Sequence, residues 1–91
     1  MKYEILATNR FKKDLRTAIR RGYDIQLLQD VVSFLANGNP LPDQHRDHLL
    51  SGNWAGFREC HITPDWLLIY RIDSGILVLT LTRTGTHSDL F

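Results

Sequence analysis

Residues 57–84, FRECHITPDWLLIYRIDSGILVLTLTRT, decide the fold of this 91-residue chain. The stretch holds three runs that are rich in strand-forming residues: Phe57 to Ile62, Trp66 to Ile72 and Ile76 to Thr84. Two tight turns, Thr63-Pro64-Asp65 and Asp73-Ser74-Gly75, separate them. Connections this short join antiparallel neighbours, because a parallel pair needs a long crossover. The sequence therefore predicts three consecutive antiparallel strands.

The residues before this stretch predict one strand and two helices. Tyr3 to Ala7 is typical of a short strand, and we expect Asn9 to cap a first helix that ends near Gly22. The apolar residues of Leu27 to Leu35 recur at helical spacing and predict a second helix, which Asn37-Gly38-Asn39-Pro40 ends. The order β-α-α-β-β-β predicts an α+β fold, with a two-helix hairpin packed on one face of a twisted, mainly antiparallel sheet. We expect the other face to stay open to a partner.

The composition predicts a single cytoplasmic domain, residues 1–91, with 43% apolar and 23% charged residues. The only cysteine, Cys60, excludes an internal disulfide and a cysteine-rich zinc site, and we expect it to be a small core residue. No segment approaches the ~18 apolar residues that span a membrane. The first residues also lack the apolar segment of a signal peptide.

The basic residues are concentrated near the start of the chain. Residues 1–21 hold seven basic and two acidic side chains, whereas residues 22–91 hold four basic and eight acidic ones. Four cations lie off the apolar stripe of the first predicted helix: Lys12, Lys13, Arg16 and Arg20. They favour either a surface that binds a polyanion or a solvated helix face, and charge alone does not choose between these.

The residues that can transfer protons lie at the ends of predicted strands or in the long polar loop of residues 40–56. Histidine titrates closest to neutrality, and the chain has four: His45, His48, His61 and His87. Alternation places Glu59 and His61 on one face, and it points Arg83, Gly85 and His87 the same way. Gly85 would leave room for a bulky group to approach the backbone. We hypothesise that five side chains meet at one rim of the sheet: His48, His61, Asp65, Arg83 and His87.

Such a set matches the requirements of metal-independent RNA cleavage. That reaction needs a base for the ribose 2′-hydroxyl, a cation for the phosphate and an acid for the departing 5′-oxygen. Trp66 and Phe91 could stack on unpaired bases, although core packing explains Trp66 equally well and a disordered end explains Phe91 equally well. A histidine-only zinc site is the competing interpretation, but the chain lacks a closely spaced ligand pair on a helix. We therefore expect no metal and no cofactor.

Three motifs resemble the YafQ-type toxins of the RelE/ParE superfamily: HLLSGNWAGFR at 48–58, CHITPDWLLIY at 60–70 and RTGTHSDLF at 83–91. The likeness extends over nearly the whole chain. It implies a toxin of a type II toxin–antitoxin system, an endoribonuclease that enters the A site of the 70S ribosome, contacts ribosomal RNA, cuts mRNA and stops translation. The implied protein partner is a cognate antitoxin.

The resemblance also implies functional positions. The family's histidines, aspartate, arginine and C-terminal aromatic match His48, His61, Asp65, Arg83, His87 and Phe91. In the resulting hypothesis, Arg83 holds the phosphate, His87 protonates the leaving oxygen and Phe91 stacks on a base. Either Asp65 or His48 takes the 2′ proton, and His61 assists. The basic helix would grip ribosomal RNA.

Two alternatives come from other functional classes. A ParE-like protein shares the fold but binds DNA gyrase and needs no catalytic histidines, so the histidine set counts against it. A non-catalytic RNA-binding module, or an inactive relative that serves only as a repressor partner, would not arrest growth when it is expressed alone.

Overall fold

The computed structural model describes residues 1–91 as one five-stranded sheet with two long α-helices, one short α-helix and two single-turn 3₁₀ helices at Asp43–His45 and Gly52–Trp54. The strands and α-helices in chain order are β1 Glu4–Ala7, α1 Asn9–Arg20, α2 Ile25–Ala36, β2 His48–Leu49, β3 Arg58–Thr63, β4 Trp66–Asp73, β5 Val78–Gly85 and α3 His87–Leu90. The predicted β-α-α-β-β-β order is confirmed. The structure adds β2, which has two residues, and α3, which has four.

The strands lie in the order β1-β5-β4-β3-β2. All neighbours are antiparallel except β1, which pairs in parallel with β5. The predicted hairpins therefore form as expected. The strand β2 was not predicted, because two residues within a polar loop give no periodic pattern. None of the helices has the length and apolar composition that a membrane crossing requires.

Helix α1 is capped by Thr8 rather than by Asn9, which is its first helical residue. The Thr8 hydroxyl accepts a hydrogen bond from the backbone N–H of Phe11 at 2.9 Å and donates one to the carbonyl of Thr82 at 2.8 Å. The same side chain thus satisfies a free donor at the helix start and ties α1 to β5. Asp24 caps α2 in the same way, by accepting from Gln26.

The sheet buries a core on each of its two faces. The larger core lies between the sheet and the two long helices, and β3 contributes Cys60 and Ile62 to it. A smaller core on the opposite face contains Leu67, Ile69 and Leu90, with side chains of the 50–57 segment packed against it. The prediction of an open second face is therefore wrong for its centre, which the 50–57 segment and α3 cover.

The buried thiol gives a direct test of this packing. Cys60 has no exposed surface, and burial raises the pKa of its thiol well above its ordinary value. Because the thiolate is the reactive form, we expect a disulfide reagent such as DTNB to leave the native protein unlabelled and to label one thiol per chain in urea. Rapid labelling of the native protein would contradict this core.

Candidate active site

One wall of the candidate site is strand β3. Cys60 and Ile62 point into the helix-side core, so Glu59 and His61 lie on the opposite face. Glu59 is only 6% exposed, which is unusual for a carboxylate in so small a protein. A buried charge of this kind needs polar neighbours.

Two histidines are the polar neighbours of the Glu59 carboxylate. One oxygen of Glu59, Oε1, lies 3.7 Å from Nε2 of His48 and 3.8 Å from Nε2 of His61. The opposite ring nitrogens are held by carbonyls: Nδ1 of His48 lies 2.7 Å from the oxygen of Arg46, and Nδ1 of His61 lies 3.2 Å from that of Pro64. A carbonyl only accepts, so each Nδ1 donates, and both Nε2 atoms face the carboxylate.

An open cleft of about 630 Å³ lies beside this group. Its lining consists of Glu59, His61, Pro64, Asp65, Leu67, Thr86, His87 and Ser88. The structure thus brings His61, Asp65 and His87 to one cleft although they are up to 26 positions apart in the chain (87 minus 61). His48 does not line the cleft and connects to it through Glu59.

The opposite wall is the C-terminal turn, and it differs from the extended strand that the sequence predicts. Strand β5 ends at Gly85, and His87 begins α3 after the N-cap residue Thr86. The Thr86 hydroxyl accepts from the N–H of Asp89, and the Asp89 carboxylate accepts from the N–H of Thr86, which forms a capping box. The space predicted above Gly85 is occupied by Asp89, whose Oδ2 would lie 2.9 Å from an added Cβ.

Arg83 is not part of the cleft. Its Nε and Nη2 donate to the two carboxylate oxygens of Asp14 at 2.9 and 3.0 Å, and the N–H of Thr84 donates to the same carboxylate. This pair is largely buried and raises the pKa of the Arg83 guanidinium above its ordinary value. Arg83 therefore lines a different cavity from His87, and its role at the phosphate stays a prediction.

The end of β5 explains the difference. The sequence prediction depended on alternation from Arg83 through Gly85 to His87, but the strand ends at Gly85 and His87 begins α3. A one-residue bulge also precedes Arg83, because Tyr70 pairs with Leu81 whereas Ile69 pairs with Arg83. The guanidinium is left on the side of α1, where it lines a smaller cavity together with Asp14.

The two aromatic side chains differ in burial. Trp66 is only 3% exposed and packs in the helix-side core, with its ring 4.9 Å from that of Tyr23. Core packing, one of the two interpretations that the sequence left open for Trp66, is therefore what the structure shows, although Trp66 also lines a cavity together with Asp65. Its contact with a base stays a prediction. Phe91 is 51% exposed, and its ring lies 5.0 Å from His87 and 6.4 Å from Trp54. Its stacking role stays a prediction.

Sequence reasoning missed Glu59 as a site residue. Its signal was present, because alternation already put it on the face of His61, two positions away. Its burial between two histidines could not be predicted, since this depends on the pairing of His48 with Glu59 across β2 and β3. Trp54, which touches the ring of Phe91, gave no signal beyond its place in a motif.

The residue before His48 fixes the loop to the sheet. Asp47 accepts hydrogen bonds from the Tyr70 hydroxyl and from Nε and Nη2 of Arg58, at 3.3 and 3.2 Å for the arginine. Desolvation and the neighbouring Asp47 carboxylate raise the pKa of Tyr70 well above its ordinary value. Because Asp47 is anchored, His48 is held opposite Glu59.

The four cations predicted for α1 are exposed side by side on its outer surface: Lys12, Lys13, Arg16 and Arg20. Their exposure satisfies both interpretations of the basic helix, so their contact with ribosomal RNA stays a prediction.

Comparison with known proteins identifies the family. The family described as bacterial toxin of type II toxin-antitoxin system, YafQ, matches residues 3–91. The chain belongs to the YafQ family. It is 38% identical over 89 residues to the mRNA interferase toxin YafQ of Escherichia coli K12, an alignment that covers 97% of this chain and 95% of the relative.

Solved structures of YafQ relatives agree with this fold. The crystal structure of the Escherichia coli DinJ-YafQ complex matches with a TM-score of 0.90 and 38% identity, covering 98% of each chain. The metal-bound toxin from Helicobacter pylori matches with a TM-score of 0.92 and 43% identity over the whole of both chains. The YafQ-like α+β fold is thus confirmed, and the chain is an mRNA interferase, an endoribonuclease. Neither the gyrase inhibitor nor the non-catalytic module is supported.

The anchoring of Asp47 gives a stability prediction. Asp47→Ala leaves the Tyr70 hydroxyl, in a residue only 1% exposed, without its acceptor and leaves Arg58 unpaired. We expect the free energy of unfolding to fall by about 1–3 kcal/mol in urea titrations. The control is Asp43→Ala in the same loop, whose exposed side chain makes no hydrogen bond and should change stability by less than about 0.5 kcal/mol. Equal losses would contradict the anchor.

Proposed function

We propose that this YafQ family member enters the A site of the 70S ribosome and cuts mRNA there by metal-independent acid–base chemistry. The observation that carries the proposal is the cleft in which His61, Asp65 and His87 meet beside the buried Glu59. In the proposed step, the ribose 2′-oxygen attacks the adjacent phosphorus while the bond to the 5′-oxygen breaks. The products are a 2′,3′-cyclic phosphate and a free 5′-hydroxyl, and translation stops.

The acid in this step is His87. Its side chain is exposed at the start of α3, and its ring lies next to Phe91 on the rim of the cleft. An imidazole titrates near neutrality, so it can give a proton to the departing 5′-oxygen and regain it from solvent. The exposed ring of Phe91 would stack on a neighbouring base, a contact that contributes about 1–3 kcal/mol.

The base lies at the other end of the cleft. The candidates predicted from sequence, Asp65 and His48 with His61 assisting, remain, and the structure adds Glu59 as the group that faces both imidazoles. We propose that a proton taken from the 2′-hydroxyl is held within this group. Nε2 of His48 and Nε2 of His61 each lie within 4 Å of Oε1 of Glu59, so the proton moves only a short distance within this group.

The positive charge at the phosphate has two candidate sources. Arg83 donates to Asp14 through Nε and Nη2, which leaves Nη1 without a partner, although Arg83 lines a different cavity from His87. A protonated imidazole in the cleft provides the alternative, and His61 is placed for it because its ring lines the cleft. Stabilisation of this kind is strongest in a preorganised site.

Two macromolecular contacts complete the proposal. The basic surface of α1 would bind ribosomal RNA, and a cognate antitoxin would bind the toxin when growth continues. The antitoxin proposal is supported by the Escherichia coli relative, which is known in complex with DinJ. An antitoxin that folds only when it binds can cover a large surface.

The cleft predicts which substitutions remove activity. Because His87 is the proposed acid, His87→Gln should lower the single-turnover cleavage rate on programmed ribosomes by about 10²- to 10⁴-fold. Asp65→Asn should lower it as well. Asp30→Asn, the same change on the exposed surface of α2, should cleave like wild type. A His87→Gln variant with the wild-type rate would refute the assigned acid.

Metal independence has its own test. Toxin dialysed against EDTA and assayed in resin-treated buffer, with magnesium as the only divalent ion for the ribosome, should retain full activity. Activity that is lost after dialysis and restored by zinc, nickel or copper would contradict the proposal. That result would instead relate this chain to the metal-bound state of the Helicobacter pylori relative.

The basic helix predicts a salt dependence. If its cations contact ribosomal phosphates, the logarithm of the affinity for ribosomes falls linearly with the logarithm of the salt concentration. The Lys12→Ala/Arg16→Ala variant should reduce that slope by about two. Lys2→Ala, which removes an exposed cation outside α1, should leave the slope unchanged. Equal slopes for all three proteins would make the helix a solvated surface.

A further inference from the structure

The turn that carries His87 is too short to hold its own shape. Helix α3 has four residues, and an isolated helix of this length is not stable in water. Leu90 anchors one side of it in the smaller core, against Leu67 and Ile69. The opposite side of α3 faces the end of α1, and the contact between them is the ion pair of Asp89 with Arg21.

Helix α1 holds both ends of the corner between β5 and α3. Asp14 binds Arg83 before the corner, and Arg21 binds Asp89 after it. Arg21 is the C-cap residue that follows α1. It is seven positions after Asp14, which is about two helical turns, so both residues lie on the same side of the helix axis. The two ion pairs line one small cavity, which does not include His87.

The second ion pair has the geometry of a clamp. Nη1 of Arg21 lies 2.6 Å from Oδ2 of Asp89, and Nη2 lies 3.2 Å from Oδ1, so the guanidinium engages both carboxylate oxygens. The same carboxylate accepts from the N–H of Thr86 at 2.8 Å and packs against Gly85. These bonds, that of Arg21 first, hold the pKa of Asp89 well below its usual range.

The exposure of this pair argues against a mainly stabilising role. The side chains of Arg21 and Asp89 are 40% and 31% exposed, and ion pairs at such positions contribute little to folding stability. What the pair does fix is the direction of α3 relative to α1. His87 is the first residue of α3, and its exposed imidazole has no hydrogen bond of its own to orient it.

We infer that Arg21 is a positioning residue for mRNA cleavage: by clamping Asp89 to the end of α1, it sets the place of His87 at the rim of the cleft. The inference rests on the proposed role of His87 as the acid. A reacting group that is displaced by a fraction of its hydrogen-bond length loses rate, even when the fold is intact.

The test compares two arginines at opposite ends of α1: Arg10 in its first turn and the C-cap residue Arg21. Arg21→Ala removes the clamp and leaves the capping box, whereas Arg10→Ala removes the same charge at the other end of α1, where the side chain is exposed and unpaired. We expect Arg21→Ala to lower kcat about tenfold, with KM within about twofold of that of Arg10→Ala. Arg10→Ala should keep the wild-type kcat. Arg21→Lys, which keeps the charge but not the fork, should restore part of the rate.

Two further measurements separate positioning from folding. Urea midpoints should agree among these variants, while NMR order parameters of residues 87–90 should fall in Arg21→Ala alone. In the His87→Gln background, Arg21→Ala should cause no further loss of kcat, since the group that it positions is gone. If Arg21→Ala and Arg10→Ala have the same kcat while His87→Gln is inactive, the inference alone is wrong. A fully active His87→Gln would overturn the proposed acid, and the inference with it.

Discussion

The alternation of β3 between the two faces of the sheet is the constraint on which the site depends. Cys60 and Ile62 are committed to the helix-side core, and this forces Glu59 and His61 onto the opposite face. On that face, Glu59 and His61 lie at the edge of the smaller core around Leu67. The carboxylate of Glu59 can be buried there because the imidazole of His61 lies beside it. A shift of one residue in register would exchange the two sets and remove both the core and the site.

The C-terminal turn is built by a different principle. It has too few residues to fold alone, so its shape comes from a capping box, one buried leucine and two ion pairs to α1. Two charged residues of the motif RTGTHSDLF thereby gain a structural explanation. Arg83 binds Asp14 of α1, and Asp89 binds the C-cap residue Arg21. The exposed His87 lies between them in the chain. Helix α1 and its C-cap residue thus bind the turn that forms one wall of the cleft. The outer surface of α1 carries the four exposed cations.

The sequence predicts most of the fold because the strands and helices have strong periodic patterns and the turns are short. It also predicts the meeting of His61 and Asp65, which a tight turn joins. It fails where tertiary contacts decide the outcome. An ion pair with Asp14 holds Arg83 beside α1, the helix-side core buries Trp66, and a two-residue strand brings His48 to Glu59. None of these three events leaves a pattern in the neighbouring residues.

We propose that this cleft cuts mRNA by attack of the ribose 2′-hydroxyl, with imidazole and carboxylate groups moving the protons. The most direct measurement uses an mRNA in which the nucleotide at the cut site lacks its 2′-hydroxyl, together with analysis of the ends formed from the unmodified message. We expect the modified mRNA to stay intact on the ribosome and normal cleavage to leave a 2′,3′-cyclic phosphate and a 5′-hydroxyl. Cleavage of the modified mRNA, or products that carry a 5′-phosphate, would contradict it.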